Sequence, residues 1–226
     1  MDIKSAVILI TSAGSLLGGT LATHFASLGA KLILCDQDIH RLNETLSRCR
    51  MVSDHVYSFP VADYSYESID KLFDYVDEMF HSSPDVLVNN WTSNPLPTLM
   101  SERSADLFTK KLSVMASSLF GFGQATAERM MQEKKKGVIV NIVSYEDYRD
   151  LSGFENASSM VAGFTQSWAK ELTPFNIRVG GVVPALSHVT NDDDYHWAEV
   201  QDELIRNTEY IVSNEYFSGR VMAAEA

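Results

Sequence analysis

Asp36 closes the apolar run Leu32-Ile33-Leu34-Cys35. A carboxylate at the end of a second strand is placed to accept hydrogen bonds from the hydroxyls of an adenosine ribose. Upstream, Ala6-Val7-Ile8-Leu9-Ile10 leads into Thr11-Ser12-Ala13-Gly14-Ser15-Leu16-Leu17-Gly18-Gly19, a loop that opens directly into a helix-period segment. Glycines in such a loop permit a tight turn and let backbone N–H groups approach a pyrophosphate at the positive end of the helix. Together these residues point to an adenine-nucleotide site. The Asp36 carboxylate would repel a 2′-phosphate, so such a site favours NAD over NADP. A competing reading makes Asp36, and Asp63 after the next apolar run, simple helix N-caps that follow strands.

Such residues work only if strands and helices alternate to carry them. Strand-like runs fall at residues 6–11, 31–35, 55–59, 86–89, 138–143 and 177–183. Amphipathic stretches separate them, among them residues 17–28 and 69–80. The longest covers 105–132, with Phe108, Leu112, Met115, Leu119, Phe122 and Met130 near a 3.6-residue period. This alternation predicts an α/β fold: one doubly wound parallel sheet of the Rossmann type, with helices on both faces. Ligands of such sheets bind beyond the carboxyl ends of the strands, where strand order reverses. The 226 residues, with no linker, repeat or low-complexity stretch, read as a single domain spanning 1–226.

Eighteen basic against thirty acidic residues give a net charge of −12. That surface repels phosphate backbones and anionic headgroups, so neither nucleic acid nor a membrane is expected as partner. The basic cluster Lys134-Lys135-Lys136 reads as the positive end of a helix. The acidic stretch Asn191-Asp192-Asp193-Asp194 reads as a solvated loop or helix start. The N-terminal apolar run has strand length, and no signal peptide is read ahead of it, so the chain is expected in the cytoplasm. Cys35 and Cys49 make no C-x-x-C motif, and the six histidines are scattered, so no metal is expected.

Several motifs in order and spacing resemble those of the short-chain dehydrogenase/reductase family. Residues 11–19 are similar to its T-G-x-x-x-G-x-G loop, with Thr11 and Gly18 in place and Ser12 and Leu16 at the first two glycine positions. Asp85-Val86-Leu87-Val88-Asn89-Asn90 is similar to its D-x-L-V-N-N-A-G strand, with Trp91-Thr92 replacing Ala-Gly. Gly137–Ser144, Ala169–Leu172 and Ile177–Ala185 are similar to G-x-I-V-N-I-S-S, A-x-E-L and I-R-V-N-x-V-x-P-G. Residues 213–221 are similar to the last helix-to-strand turn. The resemblance implies a cofactor site at Thr11, Ser12, Ser15, Leu16, Leu17, Gly18, Asp36, Asp63, Asn89 and Pro184. Within it Asp63 would contact adenine, Leu16 would crowd the phosphates, and NAD binding would be weak or residual.

The family transfers hydride with an Asn, Ser, Tyr and Lys. The Tyr donates or accepts the proton, and the Lys lowers its pKa and holds a ribose. Matched onto this chain, only Ser144 is retained, while Met115, Phe154 and Ser158 take the Asn, Tyr and Lys positions. Phenylalanine has no proton to give, and a neutral serine cannot tune a neighbour as an ammonium does. Ser144 then also reads as a strand-end residue bonded to its own surroundings. A displaced pair is Tyr145 and Arg149, one helical turn apart, with Tyr148 between them. The pair sits in a loop, however, and arginine joins proton relays poorly.

The leading expectation is a catalytically impaired relative that acts as a nucleotide-binding, regulatory or partner subunit. The alternatives are an NAD-dependent oxidoreductase with a rearranged site and a structural subunit without nucleotide affinity. Partners implied are a second copy, as homodimer or homotetramer through helices near 105–132 and 154–172, and an active family homologue.

Overall fold

A computed structural model describes the chain except for residues 94, 103, 146–151, 186–196 and 226. Arg149, Tyr148 and the acidic stretch 191–194 therefore lie outside the described residues. Among the described residues, seven strands form one parallel sheet: β1 Val7–Ile10, β2 Lys31–Asp36, β3 Val56–Pro60, β4 Val86–Ser93, β5 Gly137–Tyr145, β6 Ile177–Pro184 and β7 Val221–Ala224. Their order is β3-β2-β1-β4-β5-β6-β7, so the winding reverses between β1 and β4. All four residues of β1 are buried, as a central parallel strand covered on both faces requires.

Among the described residues, six helices cover the two faces: α1 Leu16–Ser27, α2 Ile39–Arg50, α3 Tyr66–Phe80, α4 Ala105–Gln132, α5 Phe154–Leu172 and α6 Trp197–Ser213. One apolar core joins α1 and α6 to one face through Leu21, Phe25, Leu204 and Ile211. The other joins α3, α4 and α5 to the opposite face through Leu72, Phe122, Met130 and Val161. Each of the first three helices starts on a side-chain cap. Ser15 accepts from the Gly18 N–H, Asp38 from those of His40 and Arg41, and Ser65 from that of Ser68. The cap of α2 is thus Asp38, which leaves Asp36 for another task.

The first six strands and the long helix fall where apolar periodicity places them, and α4 has the expected bounds, whereas β7 was not among the expected strand runs. The main departure is β4, which continues four residues beyond Asn89. Trp91, Thr92 and Ser93 pair with Val143, Ser144 and Tyr145 of β5. Tryptophan and threonine suit a pleated surface, and no glycine turns the chain away there. The β4–β5 ribbon therefore projects past β1, whose last residue, Ile10, pairs with Val88.

Partly buried Lys135 explains part of the basic cluster. Its ammonium lies 2.9 Å from Asp85, whose other oxygen accepts from the Val7 N–H at 2.7 Å. Arg178 stands at the start of β6. Its guanidinium donates to the carbonyls of Ile211, Val212 and Phe217 at 2.9–3.0 Å, closing the C-terminal end of α6.

Candidate nucleotide cleft

A cleft of about 540 Å³ opens over the carboxyl ends of β1, β2 and β4, at the point where strand order reverses. Its floor is Ser12, Gly14 and Ser15, and Asp36, Gln37 and Asp38 form one end. Tyr64 comes from the segment after β3. Trp91, Thr92 and Leu96 come from β4 and beyond, and Lys110, Lys111, Val114 and Ser118 from the first turns of α4. The volume lies within the range of small-molecule sites.

The loop at the floor is held by its own hydrogen bonds. Ser12 has a φ of +47°, a left-handed conformation at the position that glycine occupies in the motif. Its carbonyl accepts from the Ser15 N–H and hydroxyl at 3.1 and 2.7 Å. Gly18 is obligatory, because a Cβ there would run into the Ser12 carbonyl oxygen. Leu16, half exposed, lines a neighbouring shallow depression with His40, Arg41 and Glu44. Leu17 is core, and the Thr11 hydroxyl donates to the Asn90 carbonyl at 3.2 Å.

Asp36 binds the loop from across the switch point. One carboxylate oxygen accepts from the Gly14 N–H at 2.8 Å and the other from the Asp38 N–H at 2.9 Å. Each oxygen keeps a further lone pair for a hydroxyl. Beside it, burial and then the Asp36 charge push the Tyr64 phenol up to about 12, so it stays a neutral donor. Asp63 does not line the cleft. One of its oxygens takes the Ser65 N–H, the Ser65 hydroxyl and the Ser68 hydroxyl at 3.0, 2.5 and 2.6 Å, bracing the start of α3. These bonds hold its carboxyl down at about 2.

The other positions singled out from the sequence do not line the cleft. Asn89 is buried and donates to the Leu119 carbonyl at 2.9 Å and to Asn141 at 3.2 Å, and Asn141 donates on to Thr165. Pro184 ends β6, buried beside β7. Ser144, 1% exposed, donates to Asn90 Oδ1 at 2.9 Å and lies 3.4 Å from the Thr92 hydroxyl. Met115 is wholly buried in the core with Leu119 and Trp91. Phe154 packs its ring 5.3 Å from that of Tyr145, both buried. Ser158 Oγ is buried with no hydrogen-bond partner among the described residues. Tyr145 belongs to the extended ribbon, paired with Ser93, and also stands outside the lining.

Four contributors were not singled out beforehand. Asn90 donates to Ser15 Oγ at 3.1 Å and so links the loop to Ser144. Tyr64 sits one residue past Asp63, and Lys110 and Lys111 stand a turn above Met115 on α4. Their advance signal is adjacency: Asn90 follows Asn89, and the two lysines stand side by side in α4 between Phe108 and Leu112.

Residues 6–198 match the family model for the short chain dehydrogenase. The chain belongs to this family. Among curated relatives it is 28% identical over 208 residues to a sorbitol-6-phosphate 2-dehydrogenase of Klebsiella pneumoniae, covering 84% of this chain and 72% of that one. It is 29% identical over 189 residues to a 3-oxoacyl-[acyl-carrier-protein] reductase of Thermotoga maritima, covering 81% and 75%. Its fold superposes on a short-chain type dehydrogenase/reductase from Mycobacterium marinum with a TM-score of 0.83 at 18% identity, over 99% of this chain and 95% of that one. The doubly wound architecture is thus that of a short-chain dehydrogenase with an oxidoreductase-type scaffold. No described helix is long and apolar enough to cross a membrane.

Proposed function

We propose that this short-chain dehydrogenase binds an adenine nucleotide in the cleft, prefers NAD to NADP, and serves as a nucleotide-binding regulatory or partner subunit without the family's Tyr–Lys hydride chemistry. The observation that carries this reading is the state of Ser144. Its hydroxyl is buried and already spent on Asn90 and Thr92, while Phe154 supplies no proton and Met115 lies in the core. NAD(P) is the group the family implies. The adenosine end of the cleft fits it: Asp36 can take ribose hydroxyls, and the Ser12–Ser15 backbone can face phosphate. Asp36 also gives the preference, since a second anion beside that carboxylate is unfavourable.

The reading includes self-association through α4 and α5. Phe120 is half exposed and stacks edge-on against Trp168 at 6.2 Å, and Trp168 in turn stacks on Phe164 at 5.5 Å. An aromatic ridge on two neighbouring helices is the kind of surface a two-fold partner covers. A monomeric mass by light scattering at micromolar concentration would count against it.

A second reading is an NAD-dependent oxidoreductase with a rearranged site. It is favoured by relatives such as the dehydrogenase and reductase above, which match more than four-fifths of the chain. One experiment separates the readings: calorimetric titration with NADH and NADPH, alongside NADH turnover against small alcohols and carbonyls. Binding without turnover supports the first reading, turnover supports the second, and absence of all binding leaves a structural subunit.

A further inference from the structure

A second cavity, of about 190 Å³, opens beside the amino end of β4, away from the cleft at the carboxyl ends of the strands. It lies where α3 and α4 both finish. Phe73, Asp74 and Asp77 come from α3, Ser83 from the turn before β4, and Arg129 and Glu133 from the end of α4. We propose that this cavity binds a small organic dication of the alkyl diamine class, with ammonium groups meeting the carboxylates of its two walls. The proposal is independent of the nucleotide reading.

The acidic groups stand where cations belong. The carboxyl end of a helix carries partial negative charge on its unpaired carbonyls, which a Lys or Arg side chain normally complements. The last turn of α3 has no basic residue and holds Asp77 instead, with Asp74 one turn earlier on the same face. Among the described residues no basic side chain pairs with either carboxylate. Glu133 caps α4, so a third carboxylate meets the negative end of a second helix. The nearby cations are already committed. Arg129 pairs with Asp70 and lies 4.5 Å over the Phe73 ring, and Lys135 holds Asp85 at 2.9 Å and the Ser83 carbonyl.

Ser83 points to a ligand on separate grounds. It lines the cavity, is only 4% exposed, and its hydroxyl has no hydrogen-bond partner. Its backbone is satisfied: the N–H donates to Glu133 at 2.8 Å, and the carbonyl accepts from Lys135. A buried hydroxyl without a partner is costly, and an ammonium N–H would supply the missing donor.

Two further features set the chemistry of the ligand. Among the described residues no group of three acidic, His or Cys side chains could hold a metal ion, so the positive charge has to be spread along the ligand. Phe73 in the lining offers apolar contact to the methylenes between two ammonium groups.

The test is calorimetry and thermal melting of the full chain with butane-1,4-diamine, butylamine and magnesium chloride at constant ionic strength. The diamine is expected to bind at least tenfold tighter than butylamine, and magnesium not at all. Equal binding of the two amines, no binding of the diamine, or binding of magnesium alone overturns the assignment. Asp77→Asn, on an exposed side chain, is expected to weaken the diamine at least fivefold, and Ser83→Ala about threefold. Unchanged affinity in either variant removes a contact the site needs and defeats the proposal. Asp77→Asn also relieves the end of α3, so without diamine it should melt about 1–3 °C above the natural chain. That gap should shrink as the diamine saturates the site, and a gap that ignores the diamine would count the cluster as surface charge only.

Discussion

The Ser144 hydroxyl donates to Asn90 Oδ1 at 2.9 Å, and the Asn90 amide donates to Ser15 Oγ at 3.1 Å, so the end of β5 is bonded to the loop before α1 through one buried side chain. Ser15 Oγ in turn accepts from the Gly18 N–H at 3.0 Å, which makes the helix cap the last link. A hydroxyl held in this way is a structural group. Ser144→Ala removes one donor from a buried amide oxygen and is expected to cost about 1–2 kcal/mol. Urea unfolding measures it, and NADH affinity is the control that should change little. A large loss of affinity with unchanged stability would return Ser144 to the ligand site.

Ser12 holds a left-handed conformation that costs a side-chain-bearing residue roughly 1–2 kcal/mol. Its carbonyl, and not its side chain, makes the loop's bonds to Ser15. Ser12→Gly should therefore keep the loop and stabilise the protein by about 1 kcal/mol, a rise in melting temperature of about 2–4 °C at this size. A fall in melting temperature would show that the hydroxyl matters.

Arg178 presents the opposite case, a charge that the fold cannot lose. Burial pulls its pKa below the usual arginine value, and two carbonyls in the last turn of α6 and that of Phe217 beyond it depend on it. Arg178→Met keeps the apolar stem and orphans those carbonyls. The expected loss is about 3 kcal/mol by chemical denaturation. Hydrogen exchange should show α6 and β7 opening first.

Asp63 gives the acid dependence. Its folded pKa of about 2 lies below the ordinary aspartate value of about 4. A depressed carboxylate contributes stability that is present above the unfolded pKa and lost as pH falls through the folded one. The stability gap between the natural chain and Asp63→Asn should thus be constant above about pH 5 and close between about pH 4 and 2. A gap that persists at pH 2 would mean the amide fails to reproduce the geometry rather than the charge.

Much of this was legible in the residues. Unbroken apolar runs such as Val86–Val88 and Val138–Val140 identify central parallel strands, and the 3.6 period over Phe108, Leu112, Met115 and Leu119 gives α4. The place of Asp36 at the mouth of the cleft was readable because it ends a strand next to the switch point. Asp63 has a second use that its sequence context shows: the spacing Asp63-x-Ser65-x-x-Ser68 lets the carboxylate brace the start of α3 locally. The length of β4 was hidden by Asn89 and Asn90, whose polarity imitates a strand end. Both are buried because the Asn89–Asn141–Thr165 chain and the Asn90–Ser15 bond satisfy them.

The last prediction concerns turnover. Hydride delivered to a carbonyl leaves an alkoxide that needs a proton or strong donors. Phe154 offers neither, Ser158 carries no charge, and Ser144 is engaged with Asn90. Phe154→Tyr and Ser158→Lys together are therefore necessary for family chemistry, and either alone should leave NADH consumption at background, because the two side chains act as one unit. With β4 zipped to β5 through Thr92 and Ser144, the pair is expected to be insufficient as well. Stopped-flow and steady-state assays of the natural chain, the two single variants and the double variant should all read zero. Turnover by the natural chain that Tyr145→Phe abolishes would establish the rearranged site. Tyr145 would then have to leave its packing against Phe154 during the reaction, which its fluorescence and exchange behaviour would register.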